Sequence, residues 1–353
     1  MKIVKDKTIF DIKKNNRPQP KWGGQYPHVV DNKIYYELGN PNEVRYVKLV
    51  NDSITQPENN IVLQNSLATN NFKVFIDTNP NIPQTERYKA IGGYHVSRNH
   101  AELVGLMETQ KAQQKWCFDP VWPKESKEVI KDDMFHPRHG NGLYVFTSPD
   151  GINWTEYYKG PIFSRFTQCA DSKGKKLPEG TIGCDYMPSA FFDHNINEYI
   201  IYIRANIALG CRHVLYSKSK DLINWSTPQL ISCDPAFDIE NKQNFYYPAV
   251  YPLNNKYIAF PPHFYNQILD EKTGTRSYHD QCTHVMISND GFNWKKIDQI
   301  LESQQKHHME FPHVVSFSED NDNYVLYVHE GFGTPDNKLV KYMIHKEELE
   351  HLL

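Results

Sequence analysis

Three stretches decide the fold: Ser148-Pro-Asp-Gly-Ile-Asn-Trp154, Ser219-Lys-Asp-Leu-Ile-Asn-Trp225 and Ser288-Asn-Asp-Gly-Phe-Asn-Trp294. They recur at near-equal intervals. Each follows a strand-like run (143–147, 213–216 and 284–287) and precedes another, such as 154–158. The aspartate can accept from backbone N–H groups two residues on, and glycine tolerates the positive φ that a tight turn demands. The tryptophan then packs beneath the turn. Each stretch reads as a hairpin tip between two antiparallel strands.

A second repeat marks where each unit begins. Tyr26-Pro-His-Val-Val30 and Phe311-Pro-His-Val-Val315 are nearly identical, Tyr186–Phe192 and Tyr247–Tyr251 are close relatives, and Phe72–Ile76 is a weaker copy without proline. Second strands are predicted over 33–38, 87–92, 199–204, 257–261 and 324–329, and third strands over 45–50, 143–147, 212–217, 283–288 and 339–344. Five copies of an antiparallel unit, each unable to bury both faces alone, close most economically as a ring. The fifth copy is one strand short, because 346–353 reads as a short polar helix. Lys2–Phe10 is free to complete it. The expected fold is therefore all-β: a five-bladed β-propeller of four-stranded antiparallel blades, closed by the N-terminal strand. It occupies 1–353 as one domain, with blades near 22–65, 70–164, 185–233, 246–302 and 310–345 plus 2–10. A pair of β-sandwiches would match the strand count but does not call for hairpin tips at a fixed interval.

Composition agrees. Aromatic residues make up 13% of the chain (Trp 6, Tyr 22, Phe 18), enough to offset the entropy of ordering it and to favour strands. Lys+Arg 39 against Asp+Glu 42 leaves a net charge of -3, which provides no basic face for nucleic acid. No apolar run approaches the roughly 18–20 residues of a membrane span. Residues 1–14 lack the apolar core of a signal peptide. Cys117, Cys169, Cys184, Cys211, Cys233 and Cys282 are scattered and form no CxxC pair, so reduced thiols in the cytoplasm are expected. Oligomeric state is left open.

Strand alternation then assigns faces. The three tips join third to fourth strands and share one end. The other end collects the starts of first strands, the ends of second strands and three long insertions: 96–142 (with a candidate helix over 101–115), 164–184 and 263–282. Long loops gathered on one face of a rigid scaffold build binding sites. Gln25, Asp185, Tyr246 and Glu310 stand at first-strand starts. Glu37, His95, Arg204, His263, His329 and Glu330 stand near second-strand ends, and Arg212 and His284 at third-strand starts.

Asp185 and Glu310 are the sharpest pair, since glycosidic cleavage uses two carboxylates of which one is protonated and one ionised. Glu330 is the third catalytic candidate. Glu37, His95, Arg204, Arg212, Tyr246, His263 and His329 are the candidate substrate-binding residues, with Arg204 and Arg212 hinting at an anionic sugar. Trp22, Tyr94, Trp116 and Trp122 are candidate stacking residues. The histidines show no HxH or HExxH spacing, so no metal or cofactor is expected. Four functions compete: a glycosidase, a non-catalytic carbohydrate-binding propeller, a metal-dependent enzyme built on the rim histidines and a protein-interaction propeller.

The chain resembles the five-bladed propeller glycoside hydrolases of the arabinanase, levansucrase and invertase superfamily, and specifically a poorly characterised invertase-like branch. The resemblance rests on Arg17-Pro…Trp22-Gly-Gly, on Val74-Phe-Ile-Asp77-x-Asn79-Pro-x-x-Pro-x-x-Glu86-Arg87-Tyr-Lys89-Ala90, on the Tyr144–Trp154 segment and on Asp185…Ala190-Phe-Phe-Asp193…Tyr199-x-x-Tyr202-x-Arg204. It implies hydrolysis or transfer at a glycosidic bond by carboxylates at the axis, with Asp185 as the third-blade acid. Two positions depart from the pattern. Gln25 stands where an aspartate of the first blade is expected, and Tyr246 where a middle blade would carry a glutamate. The nearest glutamate at an equivalent strand start is Glu310.

Overall fold

A computed structural model describes residues 1–11, 25–39, 42–64, 69–93, 142–164, 167–183, 187–207, 211–239, 241, 243–269, 276–303, 312–332 and 336–352. Five sheets are formed, and every strand pairing within them but one is antiparallel. The first contains Gln25–Val30, Lys33–Gly39 and Asn42–Val50, with Ser53–Thr55 and Ile61–Gln64 outside them. The second runs Asn70–Ile76, Tyr88–Gly93, Gly142–Ser148, with the short strands Thr155–Glu156 and Phe163–Ser164. The third is built on Ser189–Asp193, Glu198–Asn206 and Arg212–Ser219, and the fourth on Val250–Leu253, Lys256–Ala259, Arg276–Ser288 and Asn293–Ile300. The fifth consists of His313–Asp320, Asn323–Glu330, Lys338–His345 and the N-terminal Val4–Asp11.

That last pairing is the expected closure: Val4 lies opposite Met343 and Asp11 opposite Lys338. Strand number per sheet exceeds four elsewhere, because breaks in the ladder divide one edge into two short strands and because Ser232–Asp234 adds a parallel strand beside Asn293–Ile300. The short helix Lys346–Glu350 follows the last strand, and Tyr324 donates to its Glu350.

The central strands are apolar on both faces, and alternate residues feed different cores. Ile200 and Tyr202 pack with Val250, Tyr257, Met286 and Trp294 of the fourth sheet. Ile201 and Ile203 pack with Ile91, Leu143 and Val145 of the second. Tyr35, Val44 and Tyr46 pack with Phe72, Val74 and Phe146 between the first and second sheets. Ile34 and Val47 of the first sheet join Ile258 and Val285 of the fourth and Val325, Leu326 and Val328 of the fifth. Each sheet is thus covered by a neighbour on either side, at about 1.5–3 kcal/mol for each large side chain buried. The innermost strands touch in the order fifth, first, second, third, fourth. Tyr251 on Phe317, ring centroids 5.5 Å apart, joins the fourth back to the fifth. This arrangement is a β-propeller.

The three tips share one hydrogen-bond plan. In the first, Ser148 Oγ accepts from Gly151 N at 2.9 Å and donates to Asp150 Oδ1 at 3.0 Å. Asp150 Oδ1 accepts from Ile152 N and Asn153 N, both at 2.8 Å, and Oδ2 from Asn153 Nδ2 at 2.7 Å. Trp154 Nε1 donates to Gly151 O at 3.1 Å. Asp221 with Trp225 and Asp290 with Trp294 repeat the pattern. Gly291 sits at φ 75°, where a Cβ would lie 2.7 Å from the Tyr202 hydroxyl that donates to its own carbonyl. The middle tip holds Leu222 at the same point with φ 63°, and its side chain is buried among Phe192, Tyr199, Phe75, Tyr157 and Trp225. A leucine accepts left-handed backbone there because the side chain fills a core gap.

One expectation needs correcting. Residues 263–282 read as a loop insertion, but 262–269 and 276–281 extend a β-hairpin. The second strand of this sheet breaks at Phe260-Pro261-Pro262, where proline cannot donate to the ladder, then resumes as Pro262–Leu269 against a third strand that has lengthened to Arg276–Ser288. The candidate helix over 101–115 and most of the 96–142 insertion lie outside the described residues. No helix among the described residues is long and apolar enough to cross a membrane.

Candidate active site

Antiparallel register fixes what meets at each end of the ring. Ser148, Ser219 and Ser288 of the tips stand opposite Tyr88, Tyr199 and Tyr257, at the starts of second strands. The opposite end holds the pairs Gln25–Glu37, Gly183–Arg204, Asn206–Arg212, His263–Cys282, His313–His329 and Glu330–Lys338. Most sequence-predicted site residues are therefore at one end, as strand alternation demanded.

Arg204 is 7% exposed at the end of an apolar strand. Gly183 opposite it makes room, since a Cβ there would lie 2.6 Å from Arg204 Nε. The guanidinium carbon stands 5.4 Å from the centre of the Tyr246 ring, and that of Arg212 stands 5.6 Å from the same ring. Two guanidinium groups over one tyrosine give a positive, aromatic surface, each contact contributing about 0.5–2 kcal/mol. Arg212 N also donates to Asn244 Oδ1 at 2.8 Å, which ties the third sheet to the segment preceding Tyr246.

From Tyr246 an aromatic band continues around the rim. Its ring lies 6.4 Å from His313, which lies 5.8 Å from His329 and 5.7 Å from Phe332, and Phe332 stacks on Tyr26 at 5.5 Å. His329 Nε2 is 2.6 Å from Asn337 Oδ1, so that nitrogen carries the proton. Burial lowers His329 to about 4 and holds His313 well below the usual imidazole range, leaving both rings uncharged at neutral pH. The band spans the third, fourth, fifth and first sheets; Tyr246, His313, His329 and Tyr26 are buried in it, and Phe332 is partly exposed.

Glu37 and Glu330 lie outside this band. Glu37 is buried at 6% exposure, and its Oε1 accepts from Phe72 N at 2.8 Å, which joins the first sheet to the second. Glu330 is engaged by Lys5 at 2.9 Å, by Lys338 at 3.7 Å and by the Tyr342 hydroxyl, an ion-pair cluster on the closing strands of the fifth sheet. Asp185, Glu310 and His95 lie outside the described residues, as do Trp22, Tyr94, Trp116 and Trp122.

Sequence reasoning passed over Lys73 and weighed His28 only among the histidines that lack metal-site spacing. Both stand on innermost strands, at equivalent points after the same one-residue bulge: Gln25 pairs with Glu37 and His28 with Tyr35, as Asn70 pairs with Gly93 and Lys73 with Ile91. The extra residues, Tyr26 at φ 54° and Asn71 at φ 59°, adopt left-handed backbone, a device that re-aims side chains near sites. Lys73 Nζ donates to Val315 O of the fifth sheet. The first sheet stands between the second and the fifth, so this amine crosses the middle of the ring. Burial lowers it to about 7. His28 Nε2 accepts from Val74 N at 3.0 Å, and burial with nearby Lys73 keeps the ring neutral.

His263, Cys282 and His284 are the described residues best suited to a cation, with ligand atoms all within 4.8 Å of one another. His284 is lowered to about 4 by burial and by Lys296, so it is neutral, the form that ligates. A shallow cleft between Ser232–Asp234 and Ser288–Lys295 lies at the tip end, away from all these groups.

The fold and this rim define a β-propeller of the kind that solved glycoside hydrolases use. An N-acetylgalactosamine deacetylase from F. plautii, solved with blood group B trisaccharide, superposes with a TM-score of 0.53 at 10% identity, covering 99% of this chain and 97% of that one. A glycoside hydrolase gives 0.53 at 8%, covering 96% and 91%. The endo-arabinase from Bacteroides thetaiotaomicron gives 0.49 at 12%, covering 91% and 94%. At these identities the likeness to the first two establishes the fold alone. No family model matches the chain, and no curated protein matches its sequence.

Proposed function

We propose that this chain is a glycoside hydrolase-like enzyme that cleaves or transfers a glycosidic bond at the axial end opposite the hairpin tips. The observation that carries this reading is the aromatic and guanidinium rim of Arg204, Arg212, Tyr246, His313 and Phe332, set on a propeller whose full-length structural neighbours include a glycoside hydrolase. On this reading the five sheets are five blades of a single domain spanning 1–353. On this reading the two carboxylates are Asp185, two residues after Gly183 in the sequence, and Glu310, three residues before His313. One of the two acts as general acid and the other as base or nucleophile. The substrate is a glycan or glycoconjugate, and Arg204 with Arg212 favours one bearing a carboxylate. Glu330, held by two lysines and a tyrosine, serves the sheet closure on this reading rather than the chemistry. No cofactor is needed for the two-carboxylate step. Work in the cytoplasm fits the scattered thiols.

Turnover by Asp185→Asn and Glu310→Gln on a glycan found by screening tests the reading. Each should fall by about 10²–10⁴ with the fold intact. Full turnover by both refutes the assignment. Sugar binding that survives both, from a wild type with no turnover, would instead identify a carbohydrate-binding propeller.

A further inference from the structure

The fourth sheet juxtaposes three metal-ligating side chains, of which the glycosidase reading uses only His263, as a candidate substrate-binding residue. His263 and Cys282 are cross-strand partners in the hairpin of Pro262–Leu269 and Arg276–Ser288. Cys282 and His284 are two apart on one strand, so strand period places both on the same face. His263 Nδ1 lies 3.5 Å from Cys282 Sγ. Bonds of about 2.3 Å to sulfur and about 2.1 Å to nitrogen at a tetrahedral angle put S and N about 3.6 Å apart. Both imidazoles pack against Phe245, with centroids at 6.0 and 5.8 Å, which gives the group an apolar wall. His263 and Cys282 are buried, and His284 is partly exposed, which leaves one side reachable from the rim.

We propose that His263, Cys282 and His284 bind one zinc-class divalent cation, with a fourth position open to water or a ligand oxygen. One thiolate and two imidazoles select zinc or copper over magnesium or calcium. Three protein ligands with one vacant position is the pattern of a reactive rather than a purely structural zinc site.

Gln243 holds the His263 ring in place. Its Oε1 accepts from Asp238 N at 2.9 Å, and this orients Nε2 toward His263 Nε2 at 3.0 Å. In this arrangement Nε2 of the ring accepts, and the ring proton sits on Nδ1, facing Cys282. Loading the cation releases the Cys282 thiol proton to solvent and moves the His263 proton from Nδ1 to Nε2. Gln243 must then turn its carboxamide so that Oε1 accepts that proton, and Asp238 N gives up its acceptor. A glutamate at 243 would accept from both at once.

The test uses the full chain, stripped with a chelator under reducing conditions and titrated with zinc chloride or cobalt chloride. Elemental analysis should find one zinc per chain, and the cobalt form should show a thiolate-to-cobalt charge-transfer band. C282S and H284A should each weaken binding at least tenfold, with circular dichroism reporting the fold. Q243E should tighten it about tenfold, the usual scale for a second-shell partner. This arm stands even where a ligand variant fails to fold. Zinc well below one per chain in the wild type overturns the proposal. So does binding unchanged in folded C282S, or unchanged in Q243E. The readout is metal content, so failure here leaves the glycosidase reading standing, and loss of turnover in Asp185→Asn leaves this proposal standing.

Discussion

Replacing Lys73 by methionine should change how stability depends on pH. The lysine sits on an innermost strand, is buried, and donates only to the Val315 carbonyl among the contacts described for it. Its ordinary value of 10.5 is lowered to about 7 by burial alone. That difference corresponds to about 5 kcal/mol between the two protonation states. A base whose folded value is depressed costs most at low pH, where the folded state must carry a buried ammonium. Between pH 7 and 10.5 the unfolded chain still binds a proton that the folded chain has released, so stability rises with pH across this window. Lys73→Met removes that dependence and one of the two donors to the Val315 carbonyl, which still accepts from Ser316 Oγ at 2.8 Å, a loss of about 0.5–1.5 kcal/mol. The variant should therefore be more stable than the wild type near pH 7, by about 3–4 kcal/mol, and less stable near pH 10.5 by the lost hydrogen bond. Urea unfolding of both proteins at intervals across this range measures the difference directly, and subtracting the curves cancels every other titrating group. Parallel curves would refute the reasoning and mean that water or a neighbouring charge keeps the amine protonated.

Other outcomes follow from the same contacts. Gly291→Ala forces a side chain at φ 75° into the Tyr202 hydroxyl and should lower stability by about 1–3 kcal/mol in urea. Adding Tyr202→Phe should return part of that loss by removing the clashing oxygen. Hydrogen bonds within the tips hold Asp150 and Asp221 near 2 against an ordinary 3.8, so their stabilisation is present above about pH 4 and fades toward pH 2. Both groups face solvent, so the double Asp→Asn variant should flatten acid unfolding by only about 1–2 kcal/mol. On an anionic glycan, Arg204→Lys should raise KM with little change in kcat, because a lysine cannot cover the Tyr246 face as a guanidinium does.

How much of this was legible in the sequence depends on how local the cause is. The tips were legible because their chemistry is complete within seven residues: serine, aspartate, asparagine and tryptophan bond one another and the turn backbone. Ring closure was legible because the fifth copy of the repeat lacked a strand and one strand-like segment stood unassigned. That Arg204, Arg212 and Tyr246 come together was legible because polar residues at the ends of apolar strands gather at one end of the ring. Lys73 was missed because it lies inside a strand, where the period of two hides a polar residue among apolar neighbours. Only the ring brings Lys73 to the Val315 carbonyl. Cys282-Thr-His284 puts two ligand types on one face of a strand, a spacing the sequence reading did not use, and His263 joins them only through a pairing register set beyond the two prolines. The same prolines made an extended hairpin read as a loop. Glu330 read as a rim carboxylate like the others, and nothing in its neighbours in sequence revealed Lys5, more than three hundred residues away, as its partner.

The most direct test of the central reading is the turnover of Asp185→Asn on a glycan that the wild-type chain cleaves. A folded variant whose kcat falls by about 10²–10⁴, with substrate still bound, is the predicted result. A folded variant that turns over at the wild-type rate would contradict it.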